Sequence, residues 1–337
     1  MKRYGIITLL FVALTAIAPS APPKGGIDGR NTDFANPGPF PAKTVYEDWQ
    51  DTKRNRTVPI RITYGEGVTS TQPVVLFSHG LGGNRDAGSL WAEHWASHGF
   101  LVVHLQHPGS DESLWKGLDA GERLDGLRSG MTPAQLIARV EDVNFVLAEL
   151  VSRQRAGEKV LARAELRHIG MAGHSFGAQT TQAVAGQKFP IPLPVGPRPG
   201  ETRIVAAIAF SPNARSSANL DRQFGSITMP FLSLTGTKDE VPSLTNQPAS
   251  DRLLPYQHMP AGGKILVNFE GADHMVLGGH NLRREATPLD KTIQEDVKVL
   301  TLAFWEAYLK DNAMAKSYLS DGSASKRLRT KAEYSSK

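Results

Sequence analysis

The chain contains no cysteine. That excludes disulfides, a thiolate nucleophile and lipid attachment through a cysteine near the N-terminus. An oxidising compartment remains open to it, because a chain of 337 residues can bury a core that needs no cross-links. Long apolar runs are also missing. The longest, Ile6 to Ala18, falls short of the ~20 residues a membrane helix needs, so no stable membrane span is expected. Charge of one sign is not in excess either. The formal net charge is +5, Lys2 and Arg3 supply two of it, and the other basic residues are scattered. Nucleic acid is therefore not an expected partner. The one basic cluster, Lys326, Arg327, Arg329 and Lys331, lies in a polar C-terminal tail that reads as solvated and partly disordered. There is no internal repeat. His94 and His98 are four apart and could share a helix face, but no third ligand stands at a fitting position. A solvated helix end explains the pair, and neither a metal nor a cofactor is expected.

The N-terminus carries a pattern of its own. Lys2 and Arg3 precede the apolar run, and Ala18-Pro19-Ser20 offers small residues for cleavage, with Pro19 blocking a cut directly after Ala18. Residues 1–20 read as a signal peptide, and export to the periplasm or the exterior is expected. Residues 21–43 form a Pro/Gly-rich leader, 44–312 a catalytic domain, and 313–337 the tail. The oligomeric state is not legible.

Strand and helix patterns alternate through the body. In Arg56 to Tyr64, Val58, Ile60, Ile62 and Tyr64 share one face, and Pro59 suits an edge or near-edge strand. Val74 to Phe77, Phe100 to Leu105 and Ile204 to Phe210 are continuous apolar strands, as in a sheet covered on both sides. Further short strands are His168 to Ala172, Phe231 to Thr235 and Lys264 to Phe269. Leu90 to His98 and Phe176 to Ala185 read as helices. Thr132-Pro133-Ala134-Gln135 opens a longer one, with Thr as N-cap and Pro at the first position, and Leu289 to Leu309 is the last. This alternation predicts an α/β fold: a mostly parallel sheet with helices on both faces and ligands at the carboxyl ends of the strands. Gln106 to Met131 and Gln187 to Glu201 lack regular pattern and are candidates either for pocket walls or for surface excursions. Trp91, Trp95 and Trp115 are placed in packing rather than at a site.

Between a strand and a helix stands Gly173-His174-Ser175-Phe176-Gly177. The pentapeptide alone is a weak signal, but this setting is the one a nucleophile elbow requires. A tight strained turn holds the serine hydroxyl clear, and side chains at 173 or 177 would collide with neighbouring backbone. A serine needs a base and the base an orienting acid, in the order Ser, acid, His along such a chain. Asp239 follows the strand Phe231 to Thr235, and His274 follows Lys264 to Phe269, so the expected row is Ser175, His274 and Asp239. Glu240 is the rival acid, Asp273 adjoins His274 too closely, and Asn213 sits in the loop after another strand. Two amides must face the developing oxyanion: Phe176 after the serine, and Leu81 in Ser78-His79-Gly80-Leu81-Gly82. Gly80 and Gly82 let that loop approach the substrate, and His79 reads as a brace of the loop.

With Gly271-Ala272-Asp273-His274-Met275, Asp51 to Tyr64 and Gln106 to Ser113, these segments resemble the alpha/beta-hydrolase superfamily, in its platelet-activating-factor acetylhydrolase and dienelactone-hydrolase-like branch. The likeness runs from about Thr44 to Leu309. It implies a secreted serine esterase with the triad Ser175, His274 and Asp239, an oxyanion hole at Leu81 and Phe176, no cofactor, and small-molecule or polymeric ester substrates. Dienelactone hydrolases use a cysteine, which this chain lacks. Animal acetylhydrolases carry the acid after an earlier strand, where this chain reads Ser211-Pro212-Asn213. Amide or polymer hydrolysis by the same triad, and a non-catalytic binding protein on the same scaffold, are the alternative expectations.

Overall fold

A computed structural model describes residues 34–189, 203–214, 219–279 and 285–337. The expected signal peptide, most of the leader and most of Gln187 to Glu201 lie outside the described residues. Along the chain run β1 (Ala42–Asp51), β2 (Arg56–Gly65), β3 (Gln72–Ser78), α1 (Ser89–Ser97), β4 (Leu101–Leu105), α2 (Ala120–Ser129) and α3 (Pro133–Arg155). Then come β5 (Ala164–His174), α4 (Phe176–Val184), β6 (Ile204–Phe210), α5 (Leu220–Phe224), β7 (Phe231–Lys238), α6 (Leu254–His258), β8 (Lys264–Asp273), α7 (Pro288–Leu309), α8 (Ala313–Ser320), α9 (Ser323–Arg327) and β9 (Ala332–Ser336).

The strands form one sheet in the order β1-β2-β4-β3-β5-β6-β7-β8-β9. From β4 to β8 all pairings are parallel, and the pairings of β1, β2 and β9 are antiparallel. This is the mostly parallel alpha/beta-hydrolase architecture. The apolar runs of the inner strands serve two cores at once, because alternate side chains face opposite sides. Val75 and Phe77 of β3 join α1 and α7 on one face, where Trp91, Trp95 and Trp305 are fully buried. Val74 and Leu76 join Leu136, Val140 and Val143 of α3 on the other. The α3 start is capped as read, Thr132 Oγ1 accepting from the Gln135 amide at 3.2 Å. Pro59 lies in β2, one strand in from the edge, opposite Asp48.

The winding reverses at β3. The chain leaves it for β4 on one side and then crosses to β5 on the other. In such sheets a crevice opens past the strand ends at that reversal. The register sets Ser78 beside Gly173, so the loop after β3 and the turn after β5 lie side by side.

Several expectations need correction. Gln106 to Met131 is not patternless, since it contains α2, a polar helix whose Asp119 amide donates to Glu122 Oε2 at 3.2 Å. His94 and His98 are not a solvated helix end: their Nε2 atoms donate to the carbonyls of Phe34 at 2.9 Å and Asn36 at 3.0 Å, and His94 is buried. The tail is not a disordered end. It folds as α8, α9 and β9, with β9 extending the sheet beyond β8. Its anchor is the buried Asp296 of α7, whose carboxylate accepts from the Arg329 and Thr330 amides and the Thr330 hydroxyl. Among the described residues, no helix is long and apolar enough to cross a membrane.

Candidate active site

Ser175 stands at the turn between β5 and α4 with φ 57° and ψ −115°, a conformation that L side chains rarely adopt. The turn is that tight because its glycines touch backbone. A Cβ on Gly173 would be driven into the Gly177 carbonyl, and one on Gly177 into the Ser78 carbonyl at the end of β3. His274 follows β8, and its Nε2 lies 2.9 Å from Ser175 Oγ. Its Nδ1 lies 2.6 Å from Oδ1 of Asp239, which follows β7. An ionised carboxylate only accepts, so Nδ1 carries the proton and Nε2 is left to accept from the serine hydroxyl.

Asp239 is fully buried. Burial alone would raise its pKa. The hydrogen bond and charge of His274, together with the charge of Arg252, outweigh it and hold the carboxyl well below the ordinary range. Thr235 Oγ1 donates to Oδ2 at 2.8 Å, and Arg252 Nε stands 3.3 Å from Oδ1. Glu240, by contrast, is exposed and accepts from the Ala249 amide at 3.1 Å. Asp273 turns away, its Oδ1 accepting from the amides of Met275 and Val276.

The Phe176 amide opens α4, where the first N–H groups have no partner within the helix. No described group accepts from it or from the Leu81 amide, while the Gly82 and Gly83 amides donate to Ser110 and Gly80 carbonyls at 3.0 and 3.1 Å. Gly80 passes close by: a Cβ there would be 3.4 Å from that of Ser175. Gly82 has φ +68° and no room for a side chain against Leu127. His79 Nε2 accepts from the His107 amide at 2.9 Å, so its Nδ1–H donates to the Gly80 carbonyl at 2.6 Å.

Ser175, His274, Leu81 and Phe176 all face a cavity of about 1190 Å³. Its walls are largely apolar, with Trp115, Leu127 and Met131 from the segment after β4, Phe189 after α4, Leu244 after β7 and Met275 after β8. Trp115 thus lines the cavity, its Nε1 donating to the Gly82 carbonyl at 2.7 Å, whereas Trp91 and Trp95 are core. Among the described residues, no three histidine or acidic side chains are grouped as a metal would require.

Three residues take roles that sequence reading did not assign. His174 Nε2 donates to the His274 carbonyl at 2.8 Å, fixing the backbone of the imidazole from inside the glycine turn. Asn213 Nδ2 donates to the Ser175 carbonyl at 2.6 Å, and its Oδ1 accepts from Arg252 at 2.9 Å. Arg252 also donates to the carbonyls of Asp239, Ser211 and Pro212. His174 was visible as the variable residue of the pentapeptide. Nothing local marks Arg252, which acts across loops.

Residues 59–124 match the family platelet-activating factor acetylhydrolase, isoform II. No curated protein matches the chain. The matched segment runs from β2 into α2 and includes the Ser78 to Gly82 loop. Together with the sheet order, it places the chain's likeness in the platelet-activating-factor acetylhydrolase branch of the alpha/beta hydrolases and supports an ester hydrolase of lipase or esterase type.

Proposed function

We propose that the protein is an exported serine hydrolase of carboxylic esters working through an acyl-enzyme. The observation that carries this reading is the unbroken row from buried Asp239 through His274 to a strained serine opening on an apolar cavity. Ser175 Oγ attacks the ester carbonyl as its proton passes to His274 Nε2. The carbonyl π pair moves to oxygen, which rests on the Leu81 and Phe176 amides. The bond to the alkoxy group breaks, and His274 protonates the departing alcohol. Water then repeats the sequence to free the acid and restore the serine. Asp239 stays ionised and keeps the imidazole in the tautomer the cycle needs. The cavity suits a bulky apolar group on one side of the ester. Export rests on the basic, then apolar, N-terminal pattern.

The test is a fluorophosphonate probe with a panel of p-nitrophenyl esters and the matching anilides. Wild type should be labelled once per chain and cleave esters far faster than anilides, and Ser175→Ala should do neither. Anilides cleaved as fast as esters would make the protein an amidase. An unlabelled wild type would leave only a binding protein.

A further inference from the structure

Two segments conspicuous in the sequence, Asp51 to Tyr64 and Gln106 to Ser113, contribute nothing to the row at Ser175. Both converge on a second polar cluster beneath the loop after β3. Its centre is Arg139 of α3, fully buried on the apolar side of that helix. Arg139 Nε donates to Ser110 Oγ at 2.8 Å, and one terminal nitrogen donates to the His79 carbonyl at 2.7 Å and to Ser78 Oγ at 3.3 Å. The other terminal nitrogen donates to the Ser110 carbonyl at 3.4 Å, which also accepts from the Gly82 amide at 3.0 Å. Leu81 is therefore held on both flanks, through His79 before it and Gly82 after it. The same guanidinium lies 4.3 Å over the ring of Phe176. One side chain thus supports the residues that carry both free amides.

One turn on along α3 stands Asp142, also fully buried, whose negative charge works against the burial of the guanidinium. Asp142 accepts from Arg56 at 2.7 and 2.9 Å, from Arg54 at 2.8 Å, and from His107 Nδ1 at 2.9 Å. With that proton committed, His107 Nε2 accepts from Ser78 Oγ at 2.9 Å. Ser78 can then take the Arg139 donor on its remaining lone pair, so Ser78, His107 and Asp142 are each satisfied.

We propose that Arg139 is a positioning residue for the oxyanion donors, fixing the Leu81 amide through His79 and Ser110 and the Phe176 amide through its ring. Asp142 and His107 brace it through Ser78. This rests on the serine-hydrolase reading above. Donors aimed at developing charge lose most of their effect when displaced by a fraction of an ångström, so loss of Arg139 acts on the transition state and not on substrate binding.

The test compares wild type with Arg139→Met, Arg139→Lys and Ser110→Ala, each as the full chain. It measures kcat and KM on one p-nitrophenyl ester and the Ki of a trifluoromethyl ketone of similar skeleton. That ketone forms a bond to Ser175 Oγ, sends the hydroxyl proton to His274 and leaves its oxyanion on the same two amides. The corresponding secondary alcohol fills the cavity without an oxyanion and reports ground-state binding. Arg139→Met should lower kcat and weaken the ketone by about the same factor, roughly 30- to 100-fold, somewhat below deletion of a donor outright. KM and the alcohol Ki should stay within about threefold. Arg139→Lys should fall between, because one nitrogen cannot reach both flanks. Ser110→Ala changes no charge, should cost about three- to tenfold by the same pattern, and carries the test alone where the arginine variants do not fold. Folded variants with unchanged kcat and ketone affinity, or with ketone and alcohol weakened equally, would overturn the proposal. A wild type that neither cleaves the ester nor prefers ketone to alcohol removes the premise, and the positioning role with it.

Discussion

Two rows of serine, histidine and aspartate lie side by side at the carboxyl end of this sheet. In one, Ser175, His274 and Asp239 are linked at 2.9 and 2.6 Å. In the other, Ser78, His107 and Asp142 are linked at 2.9 and 2.9 Å. By composition and hydrogen bonding the two are alike. They differ in what surrounds the serine. Ser175 is strained, partly exposed and faces the cavity beside unoccupied amides. Ser78 ends a regular strand, is fully buried, and already receives a donor from Arg139. Burial and Arg139 also push the His107 imidazole down to about 4, despite Asp142. On the proposed reading, a hydrogen-bonded row becomes a chemical device only where a strained turn lifts its hydroxyl into a space a substrate can enter. Sealed in, the same three residue types make a clamp.

The largest effect expected to separate the rows is at their acids. Asp239→Asn should cut kcat by about 10⁴, since the amide leaves the imidazole in the wrong tautomer. Asp142→Asn should cost only about tenfold, a clamp loosened by loss of one charge. Stopped assays on an activated ester measure both, and equal losses would erase the distinction drawn above. Glu240→Gln serves as a control that should change neither kcat nor KM. A smaller effect is expected at the serines: Ser78→Ala should retain activity to within about tenfold and stay labelled by a fluorophosphonate, because its hydroxyl meets no substrate. Peptide mapping of the labelled protein locates the adduct, and an adduct on Ser78 would invert the comparison.

A third effect is on stability and concerns the closed row together with other buried histidines. Burial lowers His79 well below its free value, and lowers His94 and His107 to about 4 and His104 to about 3. Above ~6.5 these rings are neutral in both folded and unfolded chains and cost nothing. Between that pH and the folded values only the unfolded chain binds the proton, so each group withdraws up to ~1.4 kcal/mol of stability per pH unit on acidification. Asp142 and Asp239, whose pKa values are depressed instead, withdraw theirs only below about 3.9, as the pH falls toward their folded values. Urea midpoints measured from pH 7 to pH 4.5 should fall steadily, and His107→Gln should flatten the fall. A flat profile would mean that the closed row is wetter than its burial implies.

Much of this was readable from local pattern. Continuous apolar runs marked the inner strands, Thr132 marked the start of α3, and two glycines marked the turn at Ser175. Order along the chain then brought Asp239 and His274 to the same rim. What local pattern could not carry is structure that depends on distant partners. Ala120 to Ser129 has two glycines and no apolar stripe, yet it forms α2. Ala332 to Ser336 reads as solvated tail, and becomes a strand because β8 offers an edge and Asp296 fixes the preceding turn. Arg139 and Asp142 did leave a trace, since they stand among Leu136, Val140 and Val143 on the inward side of α3. Charges at core positions are expensive unless paired, and their presence there announces a buried partner without saying which.

The reversal of winding at β3 has a temporal consequence. Leu81 and Phe176 come from different stretches of chain, and only the docking of β3 against β5 brings their loops together. The hydroxyl meets its imidazole only where β8 has also joined the sheet, three strands beyond β5. Pairings between stretches so far apart in the chain are slow to form. On the proposed reading, a chain in which these pairings have not formed would be chemically silent toward esters, and hydrolysis would come only with completed folding.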